Sequence, residues 1–335
     1  MKLTIKTKAS ALIMACAFAL SSPSLMAQTT FRISLGGSAG GSQEAMTKVF
    51  VKELKEKTNG QYDAKLFLNS QLGSEEDTIN DVSMGLLDFS VVAINNITPF
   101  SPTLGVFTLP YVVQSVEDAV TLTQSAAAEK LVENTVRDSG TRIVGWTFSG
   151  FRVFTNSKRP VKSLADLQGL VVRVPKNEIM IDTYKAWGVN PTPMSWSEVF
   201  TALQLKVVDG QDLSIIDINS ARFYEVQKYL TPIHYNFLIE PIIMSESLFQ
   251  EQSPEVQQAI IEAGKAATLA SERFLKEQEA LALENLKERG MEIDELDEAE
   301  WIKIATEKVW PKYYDSVGGK NQVNEVLQAL GREQI

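Results

Sequence analysis

The 335-residue chain carries 42 acidic and 32 basic side chains, for a formal net charge of -10, with one cysteine and one histidine. An acidic chain repels the phosphate backbone, so nucleic acid is excluded as a main partner. A single cysteine and a single histidine cannot supply a disulfide, an iron-sulfur cluster or a histidine-rich metal site, and we expect no cofactor and no metal.

Residues 1–27 have the pattern of an export signal. Lys2, Lys6 and Lys8 precede an apolar run over residues 9–20, and Ala27 stands where cleavage is expected. The run is shorter than the roughly 17 to 25 residues of a membrane-spanning helix. We therefore expect a periplasmic mature protein of about 308 residues, without its only cysteine and, after loss of the three lysines, with its net charge lowered from -10 to -13.

The first part of the mature chain alternates strands and helices. A strand over residues 31–35 leads into GGSAGGS, residues 36–42, and the pattern then predicts a helix (43–57), a strand (62–68), a helix (75–84) and a strand (88–94). This order predicts a βαβαβ unit of an open α/β sheet. Ligands of such sheets lie beyond the carboxyl ends of the strands, so residues 36–42 and the pair Asn95-Asn96 are candidate binding loops.

The rest of the chain continues the α/β pattern and exceeds what one core supports, so two lobes are expected. The predicted strands cover residues 142–148, 151–155, 170–174, 207–211 and 241–245, and the predicted helices cover 178–187, 196–205, 220–230 and 298–331. Ser253 and Pro254 begin a helix that runs to Gly290 and is long enough to lie across both lobes.

Arg173 lies inside GLVVRVP, residues 169–175, which reads as a strand covered on both faces. A guanidinium in such a strand keeps its charge and needs a partner. Loss of one member of a buried ion pair costs about 3 to 5 kcal/mol. The partner of Arg173 is therefore either a carboxylate of the protein or an anion that binds from outside.

Five ordered segments resemble the solute-binding proteins of tripartite ATP-independent periplasmic (TRAP) transporters, the DctP family, over nearly all of the mature chain. They are LNSQLGSEEDTINDVSMGLLDFSV (68–91), FTLPYVV (107–113), SGFRVFTNSKRPVKSLADLQGLVVRVPKN (149–177), NPTPMSWSEVFTALQLKVVDGQD (190–212) and FYEVQKYL (223–230).

The resemblance implies an α/β, two-lobed periplasmic-binding-protein clamshell with a long helix spanning both lobes. Such a protein closes on a small organic acid and passes it to a sodium-driven TRAP membrane permease. We expect lobe I to comprise residues 28–150 and about 239–278, and lobe II residues 151–238 and about 279–335. We also expect a monomer.

The resemblance also implies the site residues. Arg173 corresponds to the arginine that forms a two-point salt bridge with the ligand carboxylate, Arg152 to a second arginine near the anion, and Trp196 to an aromatic residue that packs on the ligand. The first-lobe loops that close over the ligand correspond to Gly37, Ser38, Asn95 and Asn96.

One departure from the family pattern affects the expected ligand. Where many relatives read D-G-Q-E-N-P, this chain has Asp212 and then Leu213, and Leu213 replaces an asparagine that usually bonds the ligand. We include Asp212 and Leu213 among the candidate ligand-binding residues. Leu213 with Trp196 favours a compact or partly apolar monocarboxylate, while a sugar acid, a hydroxy or keto acid, a dicarboxylate and an aromatic acid all stay open.

Two alternative functions follow from the same sequence. Residues 36–40 satisfy G-x-S-x-G between a strand and a helix, and His234 lies downstream, which is the order of a secreted serine hydrolase with Ser38 as nucleophile. The second alternative is a binding protein that serves a membrane sensor rather than a permease.

Overall fold

The computed structural model describes residues 28–335, so the predicted export signal with Cys16 lies outside the described residues. The strands are β1 (Thr29–Leu35), β2 (Tyr62–Phe67), β3 (Phe89–Val91), β4 (Thr141–Asn156), β5 (Arg173–Val174), β6 (Thr192–Pro193), β7 (Gly210–Ser214), β8 (Tyr229–Thr231), β9 (Phe237–Ser245) and β10 (Glu292–Ile293).

The helices account for most of the remaining chain. They are α1 (Ser42–Lys57), α2 (Glu75–Ser83), α3 (Ile94–Ile97), α4 (Val116–Thr123), α5 (Ala126–Ser139), α6 (Glu178–Ala186), α7 (Trp196–Gln204), α8 (Ile215–Ser220), α9 (Glu246–Gln250), α10 (Pro254–Glu288), α11 (Ala299–Lys308), α12 (Trp310–Tyr313) and α13 (Gly319–Ala329). Across residues 28–335 no helix has the length and apolar character needed to cross a membrane.

The βαβαβ unit predicted near the start of the mature chain is present. Strand β1 pairs in parallel with β2 on one side and with β3 on the other, and α1 and α2 form the crossovers. The carboxyl ends of β1 and β3 therefore meet at one edge of the sheet. Strand β3 is shorter than predicted because the chain turns into α3 at Ile94, which places Asn95 and Asn96 in a buried helical turn at that edge.

Strand β4 connects the two halves of the main sheet. Its first part pairs with β9, which in turn pairs with β3, while its last residues pair with β7 and β8. We predicted two strands here, but the chain stays extended through Gly150, whose φ of 95° accompanies a register shift between Phe148 and Gly150. Glycine adopts this angle without steric cost, so the strand bends without breaking.

Three further predicted segments differ from the structure. The strand expected over residues 170–174 is reduced to β5, which pairs with β6, and Val171 is 42% exposed, so this segment is not covered on both faces. Strand β7 begins three residues later than the strand expected at residue 207. The helix expected over residues 220–230 is wrong: Arg222 has a φ of 60°, and a short 3-10 helix and then β8 follow it. A residue in the left-handed conformation ends a right-handed helix, and the spacing of apolar residues does not predict such a conformation.

The predicted long helix is α10, which contacts α1, β4 and α8. Ser253 caps it by accepting a hydrogen bond from the Val256 amide, and Pro254 occupies its first turn. The helix crosses β4 where Gly264 meets Gly145. A Cβ atom built on Gly264 would lie 1.7 Å from the carbonyl oxygen of Val144, so only glycine permits this close approach.

We expect Gly264→Ala to lower the free energy of unfolding by at least about 1 to 3 kcal/mol, because the added methyl group meets backbone that cannot rotate away. Urea denaturation of the ligand-free protein would measure the change. Ala270→Gly on the same helix is the control, since it alters helix propensity alone and should cost about 1 kcal/mol. A Gly264→Ala variant as stable as the wild type would contradict the packing argument.

Candidate functional site

A cavity lies where the carboxyl ends of β1 and β3 face β4, β7 and the start of α7. Its empty space, including the part open to solvent, is about 480 Å³. Eight of the nine predicted site residues line it: Gly37, Ser38, Asn95, Asn96, Arg152, Arg173, Trp196 and Leu213. The ninth, Asp212, is fully buried behind this lining.

Arg173 is 2% exposed, and its side chain binds only one protein acceptor in the described structure. Its Nε and Nη2 atoms donate to the carbonyl oxygen of Met194 at 3.0 and 2.7 Å. Within residues 28–335 no carboxylate lies within 4.0 Å of this guanidinium. Because arginine has five N–H donors, three remain for a ligand in the cavity. Burial lowers the pKa of Arg173 to about 10, against the effect of the nearby Asp212 carboxylate, so the group stays charged at neutral pH.

Arg152 has a protein carboxylate partner, unlike Arg173. Its Nη1 atom donates to the Asp212 backbone oxygen at 3.1 Å and to Oδ1 of Asp212 at 3.3 Å, and its Nη2 atom donates to Oδ1 of Asn95 at 3.3 Å. The buried Nε atom has no partner in the described structure. Arg152 can therefore offer an anion fewer free donors than Arg173.

The position of Asp212 differs from our expectation of a ligand contact. Neighbouring residues of a strand point to opposite faces, and in β7 Leu213 lines the cavity while Asp212 points away from it. The Asp212 carboxylate instead accepts hydrogen bonds from Arg152 and from the Tyr235 hydroxyl. Asp212 thus holds Arg152 in position from behind.

Hydrogen bonds join the segments expected in the two lobes. The Trp196 Nε1 atom donates to the Gly36 carbonyl oxygen at 3.0 Å, and the Asn177 amide donates to the Asn95 carbonyl oxygen at 3.1 Å. The Ser195 hydroxyl lies 3.2 Å from both carboxylate oxygens of Glu76. These contacts close the cavity, and they use the indole N–H of Trp196 for closure rather than for a ligand.

Three carboxyl groups that we did not predict also line the cavity: Glu75, Asp217 and Glu240. All three are buried, and in the described part of the chain none of them has a cation within 4.0 Å. Burial raises the pKa of Glu75 and of Asp217. Burial, with the Asp217 carboxyl adding to it, raises the pKa of Glu240 to about 8.

Of these three carboxyl groups, only that of Glu240 could have been identified from the sequence. Glu240 interrupts the apolar run FLIEPIIM, as Arg173 interrupts GLVVRVP, and an acid in a buried strand requires an explanation. Glu75 and Asp217 looked like ordinary first-turn acids, since they follow Ser74 and Ser214, the N-caps of α2 and α8. Only the packing of those helices shows that these side chains face a cavity.

The structure does not bring together the serine and the histidine that a serine hydrolase needs. Ser38 lines the cavity, but His234 does not: its Nδ1 atom lies 2.5 Å from Oε1 of Glu298, and its ring packs against Phe151. Among the described residues no group of three or more histidine, cysteine, aspartate or glutamate side chains is arranged to hold a metal ion.

Comparisons with known proteins agree with this architecture. The family model described as bacterial extracellular solute-binding protein, family 7 (DctP), matches residues 36–316. The 2,3-diketo-L-gulonate-binding periplasmic protein YiaO of Escherichia coli is 31% identical over 283 residues, which are 84% of this chain and 86% of YiaO.

Solved structures give the same result. A TRAP periplasmic solute-binding protein of Bordetella bronchispeptica, with density assigned to pantoate, has a TM-score of 0.85 and 30% identity over 89% of this chain and 98% of its own. One from Polaromonas, bound to D-erythronate, has a TM-score of 0.84 and 28% identity over 92% of this chain and 100% of its own. These relatives are two-lobed substrate-binding proteins rather than enzymes. The chain belongs to the DctP family of TRAP periplasmic solute-binding proteins.

Proposed function

We propose that this protein captures a small organic acid between its lobes and holds the acid's carboxylate mainly through Arg173. The observation that supports this best is a buried, charged guanidinium at the cavity with three N–H donors that no group in the described structure accepts. A planar guanidinium matches a carboxylate through two parallel hydrogen bonds. Arg152, held by Asp212, contributes a second positive charge to the same end of the cavity.

The relatives favour a hydroxylated acid as the ligand. YiaO is named for 2,3-diketo-L-gulonate, and other solved TRAP binding proteins contain D-erythronate, L-galactonate or β-D-glucuronate. The lining of this cavity is also more polar than Leu213 and Trp196 alone suggested, because amides and carboxyls surround them. We therefore propose a polyhydroxylated monocarboxylate in place of the partly apolar acid expected from the sequence.

The proposed mechanism is ligand-dependent closure. An anion that contacts both lobes stabilises the closed form by the difference between its affinities for the closed and open forms. The hydrogen bonds from Trp196 to Gly36 and from Asn177 to Asn95 join segments of the two proposed lobes, so an open form would lose them. No covalent bond is made or broken.

We further propose that the mature protein is a periplasmic monomer, cleaved near Ala27, that delivers its ligand to a sodium-driven TRAP permease. Members of this family work with membrane permeases. Delivery to a membrane sensor is the alternative, and sodium-dependent uptake into vesicles that contain the permease would distinguish the two.

A thermal-shift screen tests the proposed ligand class. Sugar acids, hydroxy acids, dicarboxylates and aromatic acids would be compared with their neutral lactones or amides. At 100 times its dissociation constant a ligand adds about 2.7 kcal/mol of stability, which raises Tm by several degrees. We expect only carboxylates to raise Tm. Equal shifts with neutral analogues, or no shift with any acid, would contradict the proposal.

A further inference from the structure

Acidic side chains outnumber basic ones in the lining of the cavity. Arg152 and Arg173 line it, and Asp212 already offsets the charge of Arg152. Glu75, Asp217 and Glu240 face the same space without a cation of their own in the described structure. A site that binds only a carboxylate would not gain from additional acids, since like charges raise the cost of binding an anion. The acids therefore need a role other than carboxylate binding.

Asp217 and Glu240 retain free acceptor capacity. Glu240 accepts from the Gln43 amide at 2.8 Å on Oε1 and from the Ser149 hydroxyl on Oε2, and Asp217 accepts from the Ser214 hydroxyl at 2.6 Å. A carboxylate has about four acceptor positions. The remaining positions suit hydroxyl donors, which form short, strong bonds with carboxylates.

The position of Glu240 along the sheet separates its backbone from that of Arg152. Glu240 in β9 pairs with Thr147 of β4, whereas Arg152 lies five residues further along β4, a backbone separation of roughly 15 Å. Both side chains nevertheless reach the same cavity. A ligand with its carboxylate at Arg173 therefore extends its other end toward Glu240, while Asp217 lies near enough to Arg152 for that cation to favour the ionised form of Asp217.

We propose that Asp217 and Glu240 form a hydroxyl-binding subsite that selects acids with a neutral polyhydroxylated tail and rejects acids with a second carboxylate. This inference rests on the proposed function, because it assumes that the arginines bind the first carboxylate. Hydroxyls donate to the two acids. A second carboxylate has no proton to donate and meets the negative charge of Asp217 and, above about pH 8, of Glu240, while an alkyl tail leaves both buried acids without donors.

The protonation of Glu240 adds a pH dependence. Its pKa of about 8 leaves it mostly protonated at neutral pH, in a cavity that it shares with Asp217, Glu75, Arg152 and Arg173. As the pH rises through about 8, Glu240 ionises and adds a negative charge to a site that must hold an anion. Affinity for a monocarboxylate should then fall, by up to tenfold per pH unit, and Glu240→Gln should remove this dependence.

Calorimetric titration of the refolded, ligand-stripped protein tests the inference with matched four- and six-carbon acids. The probes are erythronate, tartrate and butyrate, and galactonate, galactarate and hexanoate. In the four-carbon or the six-carbon series, we expect the wild type to bind the aldonate at least 100-fold more tightly than the dicarboxylate and the alkyl acid of the same length. Measured at about pH 9, above the Glu240 pKa of about 8, Glu240→Gln and Asp217→Asn should each reduce the preference for aldonate over dicarboxylate at least tenfold.

The outcomes separate this inference from the proposed function. If the wild type prefers the alkyl acid or the dicarboxylate, or if both variants keep the wild-type preference, the subsite is wrong even though carboxylate binding through Arg173 stands. If no acid of either series binds, both the subsite and the proposed function fail. Thermal melts of the ligand-free variants verify folding. Because Asp217 and Glu240 lie on different elements, the test can still be made if one of the two variants does not fold.

Discussion

Arg173→Ala is expected to weaken binding of the cognate acid by about 30-fold to several thousand-fold, which corresponds to about 2 to 5 kcal/mol. The variant removes the charged donors that face the ligand and leaves a desolvated carboxylate unpaired. The Arg173 side chain bonds only the Met194 carbonyl in the described structure, so its loss should affect the ligand more than the fold. Titration calorimetry with the acid identified in the thermal-shift screen measures the effect.

Two further variants make this experiment specific. Arg173→Lys keeps the charge but lacks the planar pair of donors, so it should also bind poorly. Arg137→Ala removes an exposed arginine far from the cavity and should bind as the wild type does. Tight binding by Arg173→Ala would show that the carboxylate is held elsewhere.

Asp212→Ala is expected to lower the free energy of unfolding of the ligand-free protein by about 3 to 5 kcal/mol, because it leaves Arg152 as a buried charge without its partner. Both members of the pair are buried: the Arg152 side chain is 3% exposed and the Asp212 side chain is 0% exposed. The Tyr235 hydroxyl loses its acceptor in the same variant. Urea denaturation without ligand measures the change.

The ligand-free condition decides between two roles for Asp212. If Asp212 were only a ligand contact, its removal would weaken binding and leave the stability of the empty protein unchanged. Asp212→Asn is the matched control, since it keeps the shape and an acceptor oxygen and should lose less stability than Asp212→Ala. Asp209→Ala, which removes an acid paired with the exposed Lys158, should have a smaller effect.

The order of strands and helices could be predicted because its signals are local. These signals are the period-two and period-3.6 spacing of apolar residues, the Ser253 cap and the glycine turns. Each depends only on residues close by in the sequence, and together they predicted β1, α1, β2 and α10. The helix predicted over residues 220–230 is wrong because Arg222 adopts the left-handed conformation, which the spacing of apolar residues does not predict. The family could be recognised from long ordered segments, and Arg173 became a candidate because a charge within an apolar run is visible in the sequence.

The composition of the site depended on contacts between distant residues. In β7, the sequence alone left open whether Asp212 or its neighbour Leu213 faces the ligand, because a strand exposes alternate residues to opposite faces and only its pairing with β4 decides which.

Likewise, the sequence of α8 identifies Asp217 as a capping acid, and only the approach of β9 brings it near Glu240. The sequence by itself therefore determined the fold class and the family, and it singled out Arg173 as a candidate ligand-binding residue. The tertiary structure decided which acids face the cavity, because burial and charge pairing arise between elements far apart in the chain.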